Sequence, residues 1–162
     1  MPKLLYLGAF WRNYLHPERN HYSPAVLLVE DDSLVASSLA RMLRLNKFDV
    51  SICPDPKKAL ELCDKRQFDL IITDQKMPVM TGVEFAAIAK DRQPNARTLL
   101  ISGYIDEKDA AAALENDHIN RFVSKPWHNE DILSIVESEL QIGSTLLTKK
   151  MIEPESILLK AS

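Results

Sequence analysis

A chain of 162 residues, 46% hydrophobic and 27% charged, is long enough for one domain with a real core and some extra at its ends. Its net charge of −3 gives no support to general nucleic-acid binding, and no apolar run approaches transmembrane length. Two cysteines, Cys53 and Cys63, make neither a disulfide framework nor a metal cluster, so reduced thiols in a cytoplasmic protein are expected.

Residues 1–24 differ from the rest of the chain and are expected to form an N-terminal extension. Leu4, Leu7, Phe10, Trp11, Tyr14 and Leu15 fit one face of a short helix, which Pro17, Asn20, Ser23 and Pro24 break. The segment has no small-residue cleavage pattern, so no signal peptide is expected. Ala25 to Val29 is a buried-strand run that ends on Glu30-Asp31-Asp32. Ser33 is the expected N-cap of a helix carrying Leu34, Val35, Leu39, Met42 and Leu43, with Asp32 as a solvated loop residue or cap. Val50 to Cys53 reads as a strand, and Lys57 to Arg66 as a helix with Ala59, Leu62 and Cys63 inward. The apolar run Leu70-Ile71-Ile72 then ends on Thr73-Asp74 and gives way to a loop with Pro78 and Gly82. Val83 to Arg92 is a helix burying Val83, Phe85, Ala86 and Ile88. Thr98 to Ile101 is a strand ending on Ser102-Gly103, and Asp106 to Asn116 an alanine-rich helix. Phe122 to Ser124 is a short strand ending on Lys125-Pro126, and Asn129 is the expected cap of a last helix. Residues 142–162 read as a tail too short to fold alone.

Strand and helix alternate five times between Ala25 and Gln141, which argues a parallel sheet with helices on both faces. In such a sheet the carboxyl ends of the strands share one edge, where ligands bind. Glu30, Asp31, Asp74, Ser102 and Lys125 all stand at strand ends. A carboxylate such as Asp74 can coordinate a cation, accept hydrogen bonds or attack an electrophile there. Three converging carboxylates repel one another unless a divalent cation joins them or one takes a raised pKa. Oxygen ligands suit Mg²⁺, and an ammonium with a hydroxyl suits the remaining oxygens of a phosphoryl group. The set reads as a site for phosphoryl transfer to or from Asp74.

The motifs VEDDS, DQKMPVMTG, LISGY and FVSKPW, in this order and spacing, resemble the receiver domain of two-component response regulators, over Ala25 to about Gln141. The resemblance implies a flavodoxin-like, doubly wound α/β fold with five parallel strands in the order 2-1-3-4-5 and five helices, an order for which a family member is a standard example. It implies that Asp74 accepts a phosphoryl group from a sensor histidine kinase or a phosphotransfer protein. Glu30, Asp31, a side-chain oxygen of Asp74 and the backbone carbonyl of Lys76 would hold Mg²⁺. Lys125 would pair with the phosphoryl oxygens, Ser102 would donate to them, and Phe122 stands where the family keeps a rotating aromatic, so that Ser102 and Phe122 form the switch. Lys76 and Tyr104 occupy positions that tune hydrolysis of the acyl phosphate, and a long-lived phosphoryl group is expected. The Lys125–Pro126 peptide is expected to be cis.

The sequence departs from the commonest pattern in several places, among them Phe122, where Tyr is more usual. Glu30 replaces a more frequent Asp, and Gly103 follows Ser102 where a small residue such as Ala is usual, so a looser loop is expected. Trp127 is expected as a packed or partly exposed loop aromatic, and Met80 as packing.

The resemblance implies a signalling module acting on a downstream protein target, with no catalytic output beyond its own phosphorylation and dephosphorylation. A homodimer through the face made by the fourth and fifth helices and the fifth strand is a further expectation; direct contact with nucleic acid is not. Two other readings compete. One is a receiver-like module that works only by binding. The other is an aspartyl-phosphate phosphatase, which normally needs a second acid two residues after the nucleophile, where this chain has Lys76.

Overall fold

The computed structural model describes residues 23–104 and 107–141. The expected helix within residues 1–22, the tail 142–162 and Asp106 lie outside them. The described residues form β1 (Ala25–Val29), α1 (Ser33–Leu45), β2 (Asp49–Cys53), α2 (Pro56–Lys65), β3 (Leu70–Asp74), α3 (Gly82–Arg92), β4 (Arg97–Ser102), α4 (Glu107–Glu115), β5 (Arg121–Ser124) and α5 (Asn129–Glu139). All strand pairs are parallel and the sheet order is β2-β1-β3-β4-β5, as expected for the doubly wound fold.

The near-continuous apolar strands are buried on both faces because successive side chains point to opposite sides. Val26, Leu28, Leu70, Ile72, Leu99, Ile101 and Val123 join Leu39, Leu43, Ile132 and Val136 beneath α1 and α5. Leu27, Val29 and Ile71 point the other way, into Ala59, Leu60, Cys63, Phe85 and Ala89 of α2 and α3. Leu100 packs with Ala86, Ala113 and Ile119 under α3 and α4.

The helix starts correct two expectations. Asp32, not Ser33, caps α1: its carboxylate accepts the N–H groups of Leu34 and Val35 at 2.9 and 3.2 Å, the shorter reach that suits an aspartate one residue before the first turn. Asn129 does not cap α5 but is its first residue; His128 precedes it and makes no side-chain cap bond. Two apolar positions also face outward. Leu34 is 81% exposed at the open end of α1, and Ile88 is 39% exposed on α3, whose inward stripe is filled by Phe85, Ala86 and Ala89 instead. Thr81 and Glu84 form a capping box that fixes the start of α3 directly after the β3 loop.

Candidate functional site

The carboxyl ends of β1, β3 and β5 bring an acidic group and one ammonium together. Glu30, next after β1, and Asp74, last in β3, are buried, while Asp31 is exposed. One carboxylate oxygen from each lies within 4.8 Å of the others. Lys125, next after β5, reaches both buried acids: its Nζ donates to Asp74 Oδ1 at 2.8 Å and to Glu30 Oε2 at 3.1 Å. The other oxygens are held by backbone. The Asp32 N–H donates to Glu30 Oε1 at 3.2 Å, and the Lys76 N–H donates to Asp74 Oδ2 at 3.0 Å.

The electrostatics follow from burial and these contacts. Burial pushes Glu30 above the ordinary glutamate value, with the Asp74 charge adding to it, although the Asp32 N–H and Lys125 oppose the shift. Burial works against the charged form of Lys125, but its bonds to Asp74 and Glu30 outweigh that and raise its pKa. Lys125 is thus firmly charged. Three carboxyl groups gathered around one lysine are a donor set suited to a divalent cation.

The loop after β3 is tied to its neighbours by Gln75, whose role is not legible in the sequence. Its N–H donates to the Ile101 carbonyl, its carbonyl accepts the Gly82 N–H, and its side chain accepts the Val83 N–H, each at 3.0 Å. Gly82 is required by space. A Cβ there would collide with the Asp74 carbonyl oxygen and lie 2.6 Å from Leu100 Cδ1, so only glycine lets α3 start against the end of β3. The glycine of DQKMPVMTG is a visible signal in the sequence, but the contact that demands it is not. Val79 holds a φ of 78° in this loop, where the Met80 N–H closes a three-residue turn on the Pro78 carbonyl.

The other expected residues sit around this center in different ways. Ser102 is buried at the end of β4, but its hydroxyl serves its own loop. It donates to the Tyr104 carbonyl at 2.5 Å and accepts the Tyr104 N–H at 3.0 Å. Phe122 is half-buried and packs against the cluster of Leu100, Ala113 and Ile119. Lys76 and Tyr104 are exposed, Tyr104 by 77%. Space around Gly103 is open: a Cβ added there would have Lys125 Cβ as its nearest neighbour, at 3.9 Å. The Lys125–Pro126 peptide is cis, as expected. Met77 and Met80 pack against the α2–α3 core cluster.

A family model described as response regulator receiver domain matches residues 26–137. The chain belongs to this receiver family. Among its relatives is the response regulator receiver protein CpdR of Brucella abortus, 30% identical over 119 residues that cover 71% of this chain and 95% of CpdR. The hydrogenase transcriptional regulatory protein HoxA of Cupriavidus necator is 30% identical over 116 residues, covering 72% of this chain but only 24% of HoxA, so the chain spans about a quarter of that relative's length. Among solved structures, a Burkholderia pseudomallei response regulator with a phosphorylated aspartic acid, calcium ion and citrate superposes with a TM-score of 0.66 at 25% identity, covering 79% of this chain and 75% of that one. The receiver is a signalling domain of two-component systems. Among the described residues, no helix is long and apolar enough to cross a membrane.

Receivers bind Mg²⁺ at an acidic pocket, and the residues here fit that ion. Their donors are hard carboxylate oxygens, close enough to share one cation and carrying the charge to match it.

Proposed function

We propose that this protein accepts a phosphoryl group on Asp74 and changes its surface to control a protein partner. The observation that carries the reading is the pair of bonds from Lys125 to Asp74 and Glu30, within an acidic trio able to hold one cation. A phosphorylated aspartate in the Burkholderia relative supports it. Asp74 attacks the phosphorus of a phosphohistidine on a sensor kinase or phosphotransfer protein. An Asp74 Oδ–P bond forms as the P–N bond breaks, and the electron pair returns to the imidazole of the donor. Glu30, Asp31, Asp74 and the Lys76 carbonyl would hold Mg²⁺, which when bound neutralises phosphoryl oxygens. Lys125 moves from carboxylate to phosphoryl oxygen without losing its charge.

The switch begins at Ser102. Turning its hydroxyl to the phosphoryl group gives up the bonds to Tyr104, which frees the β4–α4 loop and opens room for Phe122 to turn inward. Lys76 and Tyr104, both exposed, hinder an attacking water and give a long-lived acyl phosphate. The changed surface acts on a downstream target or pairs two copies through α4, β5 and α5, in the cytoplasm and without direct nucleic-acid contact.

Incubation with acetyl phosphate and Mg²⁺ is expected to add one phosphoryl group to the protein and none to Asp74→Asn. Equal labelling of both would sink the reading, and no labelling of either would favour a module that works by binding alone. Lys76, two residues after Asp74, argues against a phosphatase; sustained turnover of a phosphomonoester would restore that reading.

A further inference from the structure

We infer that Trp127 is a positioning residue for Lys125, holding its ammonium at Asp74 through the face of the indole ring. Lys125 Nζ lies 5.7 Å from the centroid of the Trp127 ring, within the range in which a cation is attracted to the ring quadrupole. The same nitrogen bonds Asp74 at 2.8 Å and Glu30 at 3.1 Å, so the ammonium has carboxylates and an aromatic ring as its neighbours. The ring has its own anchor. Trp127 is half-buried and packs against the core cluster beneath α1 and α5. An open cleft of about 300 Å³ lies beside it, lined by Lys125, Pro126 and Trp127. A long lysine side chain facing such a cleft has many rotamers to choose from. The carboxylates hold it only while their charge is free: a bound cation competes with the ammonium for that charge, and phosphorylation converts the Asp74 carboxylate into an acyl phosphate. The ring's attraction is unaffected by either event. It therefore keeps the ammonium near the strand end while Lys125 exchanges a carboxylate for a phosphoryl oxygen.

The inference rests on Asp74 being the phosphoryl acceptor, and the test separates the two. The full chain is labelled with acetyl phosphate and Mg²⁺. An Asp74 oxygen bonds to phosphorus, and acetate leaves with the electron pair of the broken P–O bond. Trp127→Leu keeps an apolar group against the core but removes the quadrupole. It is expected to slow labelling about three-fold, while Trp127→Phe recovers rates to within about two-fold of the parent. A spectroscopic readout is independent of phosphoryl transfer. In a Trp11→Phe background Trp127 is the sole indole, and Lys125→Met is expected to brighten its emission by removing a nearby ammonium that quenches it. Equal labelling of Trp127→Leu and the parent, equal slowing by Leu and Phe, or emission unchanged in Lys125→Met would each overturn the role of Trp127 while leaving phosphoryl acceptance intact. An unlabelled parent would instead overturn phosphoryl acceptance, and the positioning role with it.

Discussion

Two buried residues with no part in the chemistry hold the two ends of α3 in place. Gly82 lets the first turn of α3 touch the Asp74 carbonyl. Gly82→Ala is expected to destabilise the fold by about 2 kcal/mol, because backbone on one side and a buried leucine on the other leave little room to relax. Gly103→Ala, with open space around it, should be near neutral, and urea unfolding of the two variants side by side checks the contrast. Gln93 is the second. It is 1% exposed, and its side chain accepts the Phe68 N–H at 3.0 Å while donating to the Cys63 and Arg66 carbonyls at 2.6 and 2.9 Å. Those carbonyls belong to the end of α2, where the helix itself supplies no donor. Gln93→Leu would leave two buried backbone groups and one part-buried carbonyl without their side-chain partner and is expected to cost about 3 kcal/mol of unfolding free energy, read from the same denaturation curves. Nothing in the pattern around Gln93 marks it, because a glutamine before a proline reads as an exposed helix end. The cysteines, by contrast, behave as the sequence suggests: both are buried, and burial pushes the Cys63 thiol up to about 11.

At the level of elements, one carboxylate ties α5 to the starts of two strands. Glu139, with 5% of its side chain exposed, pairs with Arg97 of β4 at 2.6 Å and Arg121 of β5 at 2.8 Å. Burial alone would raise its pKa, but the two guanidinium groups more than reverse this and hold it below the ordinary glutamate value. A carboxylate with a depressed folded pKa contributes stability above its unfolded value, and that contribution is lost as pH falls through the folded one. The window opens near pH 4.3, roughly the ordinary glutamate pKa, and extends downward. Stability of the parent should therefore fall more steeply below that pH than stability of Glu139→Gln, as followed by thermal unfolding across a pH series. The helix starts carry a related lesson. Asp32 and Ser33 are both capable caps by residue type, but which of them turns its side chain back depends on the angle at which the chain leaves β1. The structure selects Asp32 there, and Thr81 at the start of α3.

For the molecule as a whole, the acidic trio crowds like charges together, and a bound cation would offset them. Glu30 and Asp74 are buried side by side, and Lys125 alone does not balance them together with Asp31. Mg²⁺ at about a ten-fold excess over its dissociation constant should stabilise the protein by about 1.4 kcal/mol, and the gain should vanish in Asp31→Asn. Thermal unfolding with and without the ion measures it; an equal shift in both proteins would place the ion elsewhere.

The alternation of apolar runs with amphipathic stretches determined, from sequence alone, a parallel sheet with helices on both faces, because a strand buried on two sides and a helix buried on one carry different periods. It also placed Glu30, Asp31, Asp74, Ser102 and Lys125 at strand ends, and five parallel strands put those ends on one edge. Only the tertiary structure decided which of them meet. Lys125 reaches Asp74 and Glu30, while the Ser102 hydroxyl turns back to Tyr104. It likewise decided that Gln75, Gly82, Gln93 and Trp127 matter to the result. A strand's end is a local property written in a few neighbouring residues. A side chain's partner depends instead on its rotamer and on how backbone from other elements packs around it, a relation that sequence pattern does not carry.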